Sequence, residues 1–271
     1  MMSYRIIRAF FAAAFLAVPA LTGLSCCCLT DPCDDCHNGD RDARASFRYA
    51  AAAEGITVFS LEGINGDVEI TGTPSADSVI VRGERSVRSD SEEDAREHLA
   101  LLSVEFGPSA GAVTVRTRQP NRNEGRTYTV NYHVLLPERV LASVIGVNGN
   151  AEVIGMTAPV SVVWTNGDLF CADLHGGCEA SLVNGRLVCD GTLPVSGSIV
   201  LSGVNGNVFL TVPDTTSALI DARTTNGAVT VSGLSVRDLS SSRTAVSGVI
   251  GTGRGTIRLT TVNGNVALAG E

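Results

Sequence analysis

The stretch ASVIGVNGNAEVIGMTAPVSVVWTNGDLFC, residues 142–171, decides the fold. It contains two Asn-Gly dipeptides, which begin at Asn148 and Asn166, and each lies between short runs that alternate apolar with other residues. Asn and Gly adopt positive φ most readily, so each pair can turn the chain sharply between two strands. An alternation with a period of two is typical of strands buried on one face. The stretch therefore predicts two copies of a unit made of strand, turn and strand.

The same unit recurs along most of the chain. From Asn148 onward the intervals between successive turns are 18, 18, 21, 21 and 37 residues. The last interval is long enough for two units, and we interpret Ser247-Gly248 as a degenerate turn within it. A near-constant period is typical of solenoids rather than of unrelated hairpins. The turn asparagines of the repeated unit are Asn65, Asn148, Asn166, Asn184, Asn205, Asn226 and Asn263.

The turn asparagines also predict which strand residues face inward. Positions +3 and +5 after each asparagine, and positions −6 and −4 before it, are almost always apolar. Val208 is thus expected to be buried and Thr230 to be exposed. Stacking of such units predicts an all-β fold, a single-chain β-solenoid of about seven or eight rungs.

Four regions are expected along the chain. Residues 1–25 are predicted to be a signal peptide, residues 26–53 a cysteine-rich polar tether, and residues 142–271 the regular solenoid. Residues 54–141 are expected to form the first rung and a capping subdomain, because a stack needs an atypical end to cover its core. In this cap, the sequence SDSEEDAREHLALL predicts one short amphipathic helix over 90–102.

The segments FSLEGINGDVEI and VNYHVLLP, the short helix between them and the tandem VNGNV-type repeats together carry a family resemblance. Over residues 54–269, the chain resembles the bacterial family known as the putative adhesin domain. That resemblance implies an exported or membrane-anchored β-solenoid. It suggests adhesion, and it supplies no catalytic residues.

The amino-terminal residues resemble a bacterial lipoprotein signal. Two arginines precede an apolar run over 9–24, which is too short to span a bilayer comfortably. The run ends at a group of three cysteines. The small residue Ser25 selects Cys26 as the lipidated residue, whereas Leu24 selects Cys27. An ordinary cleaved signal peptide is the alternative.

The tether contains the motif C-x-x-C-H, formed by Cys33, Cys36 and His37, which is the attachment signature of c-type haem. Its polar and acidic surroundings offer no apolar pocket for a porphyrin. A local disulfide, a metal-chelating group and an inert linker are the other readings of this segment. A redox or haem lipoprotein is therefore one alternative function.

Three cysteines lie within the predicted solenoid. Cys171 and Cys189 occupy the same +5 position on successive rungs, and Cys178 occupies an inward −6 position. All three can serve as small buried apolar residues. Neighbouring parallel strands also bring equivalent residues within disulfide range, so Cys171 and Cys189 are a possible disulfide.

The outward positions suggest binding rather than catalysis. Phe170, Val188 and Phe209 fall on three consecutive rungs and predict an apolar strip, which is either a partner site or is covered by the cap or tether. At position +2, Asp168 and Arg186 are expected to form a surface ion pair rather than an acid and base couple. The histidines of this region show no spacing typical of a shared metal or a catalytic triad; they are His98, His133 and His175.

Composition limits the partners. The formal net charge is −8, and the arginines are scattered, so a nucleic-acid partner is disfavoured. We expect an exported, lipid-anchored adhesin or surface scaffold of the cell envelope, without catalytic activity, cofactor or metal. Its expected contacts are the membrane, through the lipid, and a surface polysaccharide or protein. A carbohydrate-active or carbohydrate-binding β-helix protein is the main alternative.

Overall fold

A computed structural model of the chain describes residues 41–271, and these are almost entirely β. The predicted signal peptide, the lipidation cysteines and the C-x-x-C-H motif lie outside the described residues. Among residues 41–271, no helix is long and apolar enough to cross a membrane.

The described chain contains one helix, α1 (Glu92–Leu99), and a long series of strands. In chain order the strands are β1 (Asp42–Ala52), β2 (Val58–Glu62), β3 (Val68–Thr73), β4 (Ser78–Arg88), β5 (Ser103–Ser109), β6 (Ala112–Arg118), β7 (Thr127–Pro137), β8 (Leu141–Asn148), β9 (Ala151–Ile154), β10 (Val160–Asn166), β11 (Leu169–Leu174), β12 (Cys178–Asn184), β13 (Leu187–Gly191), β14 (Ser198–Asn205), β15 (Val208–Val212), β16 (Ala218–Asn226), β17 (Val229–Ser232), β18 (Val236–Ser241), β19 (Ala245–Ile250), β20 (Gly255–Asn263) and β21 (Val266–Gly270).

The strands form two mixed sheets. The first sheet has the order β1-β4-β7-β3-β9-β11-β13-β15-β21-β17, and the second has the order β18-β19-β16-β20-β14-β12-β10-β8-β2-β6-β5. From β8 to β17, successive strands along the chain alternate between the second and the first sheet. Strands that carry equivalent positions of the repeat pair in parallel, so the repeat in the sequence becomes a repeat in the pairing.

The turn asparagines form a ladder of side-chain hydrogen bonds. Asn148 Nδ2 donates to Asn65 Oδ1 at 2.7 Å, and Asn166 Nδ2 donates to Asn148 Oδ1 at 2.8 Å. The same bond joins the remaining turn asparagines. The glycine after each asparagine is required for space, and all of these glycines except Gly227 also have positive φ. Gly167, for example, has φ 123°, and a Cβ there would lie 1.8 Å from the carbonyl oxygen of Gly149.

The predicted inward positions are confirmed as the core. Every +3, +5, −6 and −4 residue of the seven units is buried except Val231, which is only half-buried in the edge strand β17. Val208 is fully buried and Thr230 is exposed. One hydrophobic cluster runs from the cap into the regular repeats, so the two regions share a core.

The carboxyl-terminal strands lie in the interior of the two sheets, which the sequence did not predict. β20 pairs with β14 on one side and β16 on the other, and β21 lies between β15 and β17. Asn263 therefore lies between Asn205 and Asn226 in the ladder. The interpretation of Ser247-Gly248 as a degenerate turn was wrong. Both residues lie in β19, which pairs antiparallel with β16 as part of a hairpin that returns the chain to the stack.

The amino-terminal end also differs from the prediction. Residues Asp42–Ala52, assigned to the tether, form β1, which pairs antiparallel with β4 along its whole length. The cap contains the predicted helix, but α1 is shorter than 90–102. Ser91 caps its start by accepting a hydrogen bond from Asp94 N at 3.2 Å. Arg85 donates to the carbonyl oxygen of the last residue of α1, Leu99, at 3.4 Å, and also to that of Leu102.

Candidate functional site

The outward face of the first sheet brings the most distinctive surface residues into one row. Strand registers place neighbouring residues of this row directly opposite one another across β1, β4, β7, β3, β9, β11, β13 and β15. In that order the row consists of Arg48, Arg82, His133, Glu69, Glu152, Phe170, Val188 and Phe209. The first five residues of the row are charged or titratable and are called its charged half; the last three are apolar and are called its apolar half.

The apolar half is the strip expected from the repeat. Phe170 is the register partner of Val188, which is the partner of Phe209. Phe170 is only 8% exposed, whereas the other two side chains are half-buried. The structure therefore brings the three residues together but leaves little of the Phe170 ring available to a partner.

The charged half of the row borders an open cavity of about 250 Å³. His133 Nδ1 lies 2.7 Å from Glu69 Oε2 within it. The side chains of Ile80 and Leu135 supply an apolar margin, because they occupy the next outward position on β4 and β7. We call this cavity the arginine pocket, and its lining residues are Arg48, Glu69, Thr71, Ile80, Arg82, His133, Val134 and Leu135.

The two arginines of the pocket differ from Arg44 and Arg88 on the same strands. On β1, Arg44 lies 3.5 Å from the carboxylate of Glu84, and on β4, Arg88 lies 2.9 Å from that of Asp42. Among residues 41–271, no carboxylate lies within ion-pair distance of the Arg48 or Arg82 guanidinium. The pocket therefore holds two guanidinium groups that form no ion pair with a carboxylate of the described residues.

A second cavity, of about 240 Å³, lies on the second sheet near β2, β5 and β6. There Arg116 donates two hydrogen bonds to Glu62, from Nε and Nη2, each of 2.6 Å. These bonds hold the pKa of Glu62 below its ordinary value. Arg118 likewise pairs with Glu105 at 2.9 Å. Because its charges are already paired, this cavity is the weaker candidate for a binding site.

The three cysteines of the repeat form a buried cluster of free thiols. Cys171 and Cys189 are register partners on β11 and β13, and Cys178 of the second sheet hydrogen-bonds with both. Hydrogen bonds with Cys178, together with burial, raise the pKa of Cys171 and Cys189. Protonated thiols are poor nucleophiles, so Cys171 and Cys189 are chemically quiet in their reduced form. The disulfide between Cys171 and Cys189 stays a prediction.

The remaining candidate residues have separate local partners. Arg186 Nη2 lies 2.8 Å from Asp168 Oδ2, which confirms the expected surface ion pair. His98 Nδ1 lies 2.6 Å from Tyr128 Oη, and His175 Nδ1 lies 2.7 Å from Thr192 Oγ1. The part of the chain from residue 41 onward contains no group of three or more His, Cys, Asp or Glu side chains arranged to hold a metal ion.

The sequence pattern did not predict the arginine pocket, because Arg48 falls within the residues expected to form the tether. A signal for it was present. In β1 the residues Ala43, Phe47 and Tyr49 belong to an alternating series that points toward the core or its edge, with Arg48 on the other face. Recognition of that alternation would have predicted a strand, although not its pairing with β4.

Comparisons with known proteins give structural similarity only. No family model matches the chain, and no curated protein matches it. A crystal structure described as a putative cell adhesion protein from Clostridium sporogenes ATCC 15579 is 11% identical, with a TM-score of 0.49, over 84% of this chain and 100% of that chain. One described as a putative adhesin from Bacteroides fragilis NCTC 9343 is 9% identical, with a TM-score of 0.26, over 84% and 97% of the respective chains. A putative adhesin from Parabacteroides distasonis ATCC 8503 is 10% identical, with a TM-score of 0.27, over 83% and 97%. At these values the similarity does not assign a function to this chain.

Proposed function

We propose that the chain is a non-catalytic adhesion or scaffold module of the cell envelope. The observation that carries this proposal is the outward row of the first sheet, where uncompensated arginines and an apolar strip share one continuous face. Clustered charge without an internal partner and partly exposed apolar side chains are both typical of binding surfaces. Binding at this face requires no reacting group.

We propose further that the strands coil as a β-solenoid. The alternation of strands between two sheets and the in-register asparagine ladder support this arrangement. Each strand of such a coil is fixed by its neighbours, so the coil presents an extended and rigid face. A rigid face loses little conformational entropy when it binds a partner.

The proposal also includes export of the chain and its attachment to a membrane by a lipid. A lipid on Cys26, or on Cys27, holds the chain at a membrane, while the strands bind material outside it. The net charge of −8 supports lipid attachment over electrostatic attachment, because an acidic protein is repelled by anionic lipid.

The experiment is fractionation of cells that express the full chain or its Cys26→Ser, Cys27→Ser double variant. We expect the wild-type chain in the membrane fraction and the double variant in the soluble fraction of the envelope. A Cys171→Ser variant is the matched control, because it also removes a thiol but leaves the signal intact. Equal membrane retention of the wild type and the double variant would refute the lipid anchor.

A carbohydrate-binding protein is the second candidate, and the arginine pocket favours it. The pocket combines charged and hydrogen-bonding side chains with the apolar margin formed by Ile80 and Leu135. Release of reducing sugar ends from an envelope polysaccharide by the purified chain would instead indicate a carbohydrate-active enzyme.

A further inference from the structure

The pairing of Arg48 with Arg82 is unfavourable for the isolated protein. The two residues are direct register partners on the antiparallel strands β1 and β4, and both side chains are exposed. Like charges directly opposite one another destabilise a sheet. Arg44 and Arg88, which also face outward on these strands, have carboxylate partners, so the unpaired couple is a local feature of the pocket. An anion bound between the two guanidinium groups would remove the repulsion.

The charge of the pocket suits an anion. Glu69 supplies one negative charge, and two arginines supply two positive ones. The two guanidinium groups therefore outnumber the single carboxylate of the lining, and a bound anion would offset the excess positive charge. Guanidinium groups also match the planar geometry of a carboxylate.

The other lining residues suit a sugar ring. Ile80 and Leu135 border the charged row at the next outward position, where they can contact the apolar face of a ring. His133 and Glu69 are hydrogen-bonded to each other at 2.7 Å and can also bond hydroxyl groups. The volume of about 250 Å³ is below the range usual for drug-sized ligands, so it fits a single sugar unit of a longer chain.

We propose that the arginine pocket binds the carboxylate of a uronic acid unit in an acidic polysaccharide. This inference rests on the proposed function, because it names the class of material that the envelope module binds. Arg48 and Arg82 hold the carboxylate, Ile80 and Leu135 support the ring, and the open side of the cavity leaves the rest of the polysaccharide outside it.

The test is calorimetric titration of the purified, signal-processed chain with tetragalacturonate. We expect binding that weakens as salt is added, because the contact is between exposed charges. The Arg48→Gln, Arg82→Gln double variant is expected to bind at least tenfold more weakly. The matched control, Arg258→Gln, removes an exposed arginine from the second sheet and is expected to bind like the wild type.

Two further ligands show whether binding requires both the carboxylate and the sugar ring. A neutral galactose tetrasaccharide and inorganic phosphate are each expected to bind at least tenfold more weakly than tetragalacturonate. Binding of either as tightly as tetragalacturonate, undiminished binding by the double variant, or no binding of tetragalacturonate to the wild type would overturn the inference.

A folding control accompanies the titration. Because the double variant removes a repulsion, its melting temperature is expected to equal or exceed that of the wild type, and tetragalacturonate should raise only the wild-type value.

Failure of this inference is distinct from failure of the proposed function. A chain that attaches to cell envelopes but does not bind tetragalacturonate refutes the pocket ligand alone, and a chain that binds it but does not attach refutes the adhesion role.

Discussion

Asn263, in the last turn of the chain, donates a hydrogen bond from Nδ2 to Asn205 Oδ1 at 2.8 Å and accepts one from Asn226 at 2.7 Å. The last turn therefore lies between two turns that precede it in the sequence. Because β20 and β21 join β16 and β17 to the rest of the two sheets, the carboxyl terminus stabilises residues that were synthesised before it.

Removal of residues 255–271 is therefore expected to release the region 216–250 from the core. Protease digestion of the truncated chain should cut within 216–250, whereas the full chain should resist. Removal of Glu271 alone is the control, since it leaves β21 intact. If the terminal strands merely ended a sequential stack, the truncated chain would keep 216–250 protected.

The inside and outside assignment makes a second prediction. Val208 is fully buried and Thr230 is exposed, although both belong to strands of the first sheet. Val208→Asp loses about 1.5–3 kcal/mol of burial and also places a charge in the core. Its melting temperature should therefore fall far below that of Thr230→Asp. Similar melting temperatures for the two variants would contradict the assignment.

Asp94 ties helix α1 to the chain before β7. It accepts hydrogen bonds from Arg126 Nε at 2.6 Å and Nη2 at 2.7 Å, and also one from Ser89. The bonds from Arg126, and then that from Ser89, hold the pKa of Asp94 well below its usual range. A depressed pKa contributes stability at pH values above about 4, the ordinary value for an aspartate, and this stability is lost as the pH falls further.

Asp94→Asn is therefore expected to lower the melting temperature at pH 7, and the difference from the wild type should shrink as the pH falls below about 4. Glu92→Gln is the control, because its pair with Arg96 is exposed and contributes little. A difference between wild type and Asp94→Asn that stays constant with pH would show that the carboxylate charge is not responsible.

The cysteine cluster predicts one disulfide in the secreted chain. Cys171 and Cys189 are register partners, at a separation that permits a disulfide between neighbouring parallel strands. Peptide mass mapping of the protein purified from the envelope, alkylated without reductant, is expected to find these two residues linked and Cys178 free. Three alkylated thiols would refute the disulfide, and a link through Cys178 would replace it with a bond between the sheets.

The sequence predicted the local geometry well because a single turn fixes the phase of the strands on both sides of it. The burial of Val208 follows from its position three residues after Asn205 in the sequence. The order of the strands does not follow, because Asn205, Asn226 and Asn263 stand in almost the same local pattern. Only the hairpin of β18 and β19 decides which of the three lies in the middle.

The candidate site also has one part that the repeat could predict and one part that it could not. Phe170, Val188 and Phe209 have equivalent positions in the repeat, so their neighbourhood could be predicted. Arg48 and Arg82 lie outside the regular repeat, and an antiparallel pairing brings them together. Because the register of that pairing depends on the whole length of β1 and β4, no local motif could have indicated the pocket.

The central claim is that the charged half of the outward row binds envelope material. Its most direct test is the fraction of purified, signal-processed chain that sediments with isolated cell envelopes, measured in a Cys26→Ser, Cys27→Ser background so that the lipid does not contribute. We expect sedimentation of this chain and of its Arg258→Gln form, and loss of most of it when Arg48 and Arg82 are both changed to Gln. Equal sedimentation of all three forms would contradict the account.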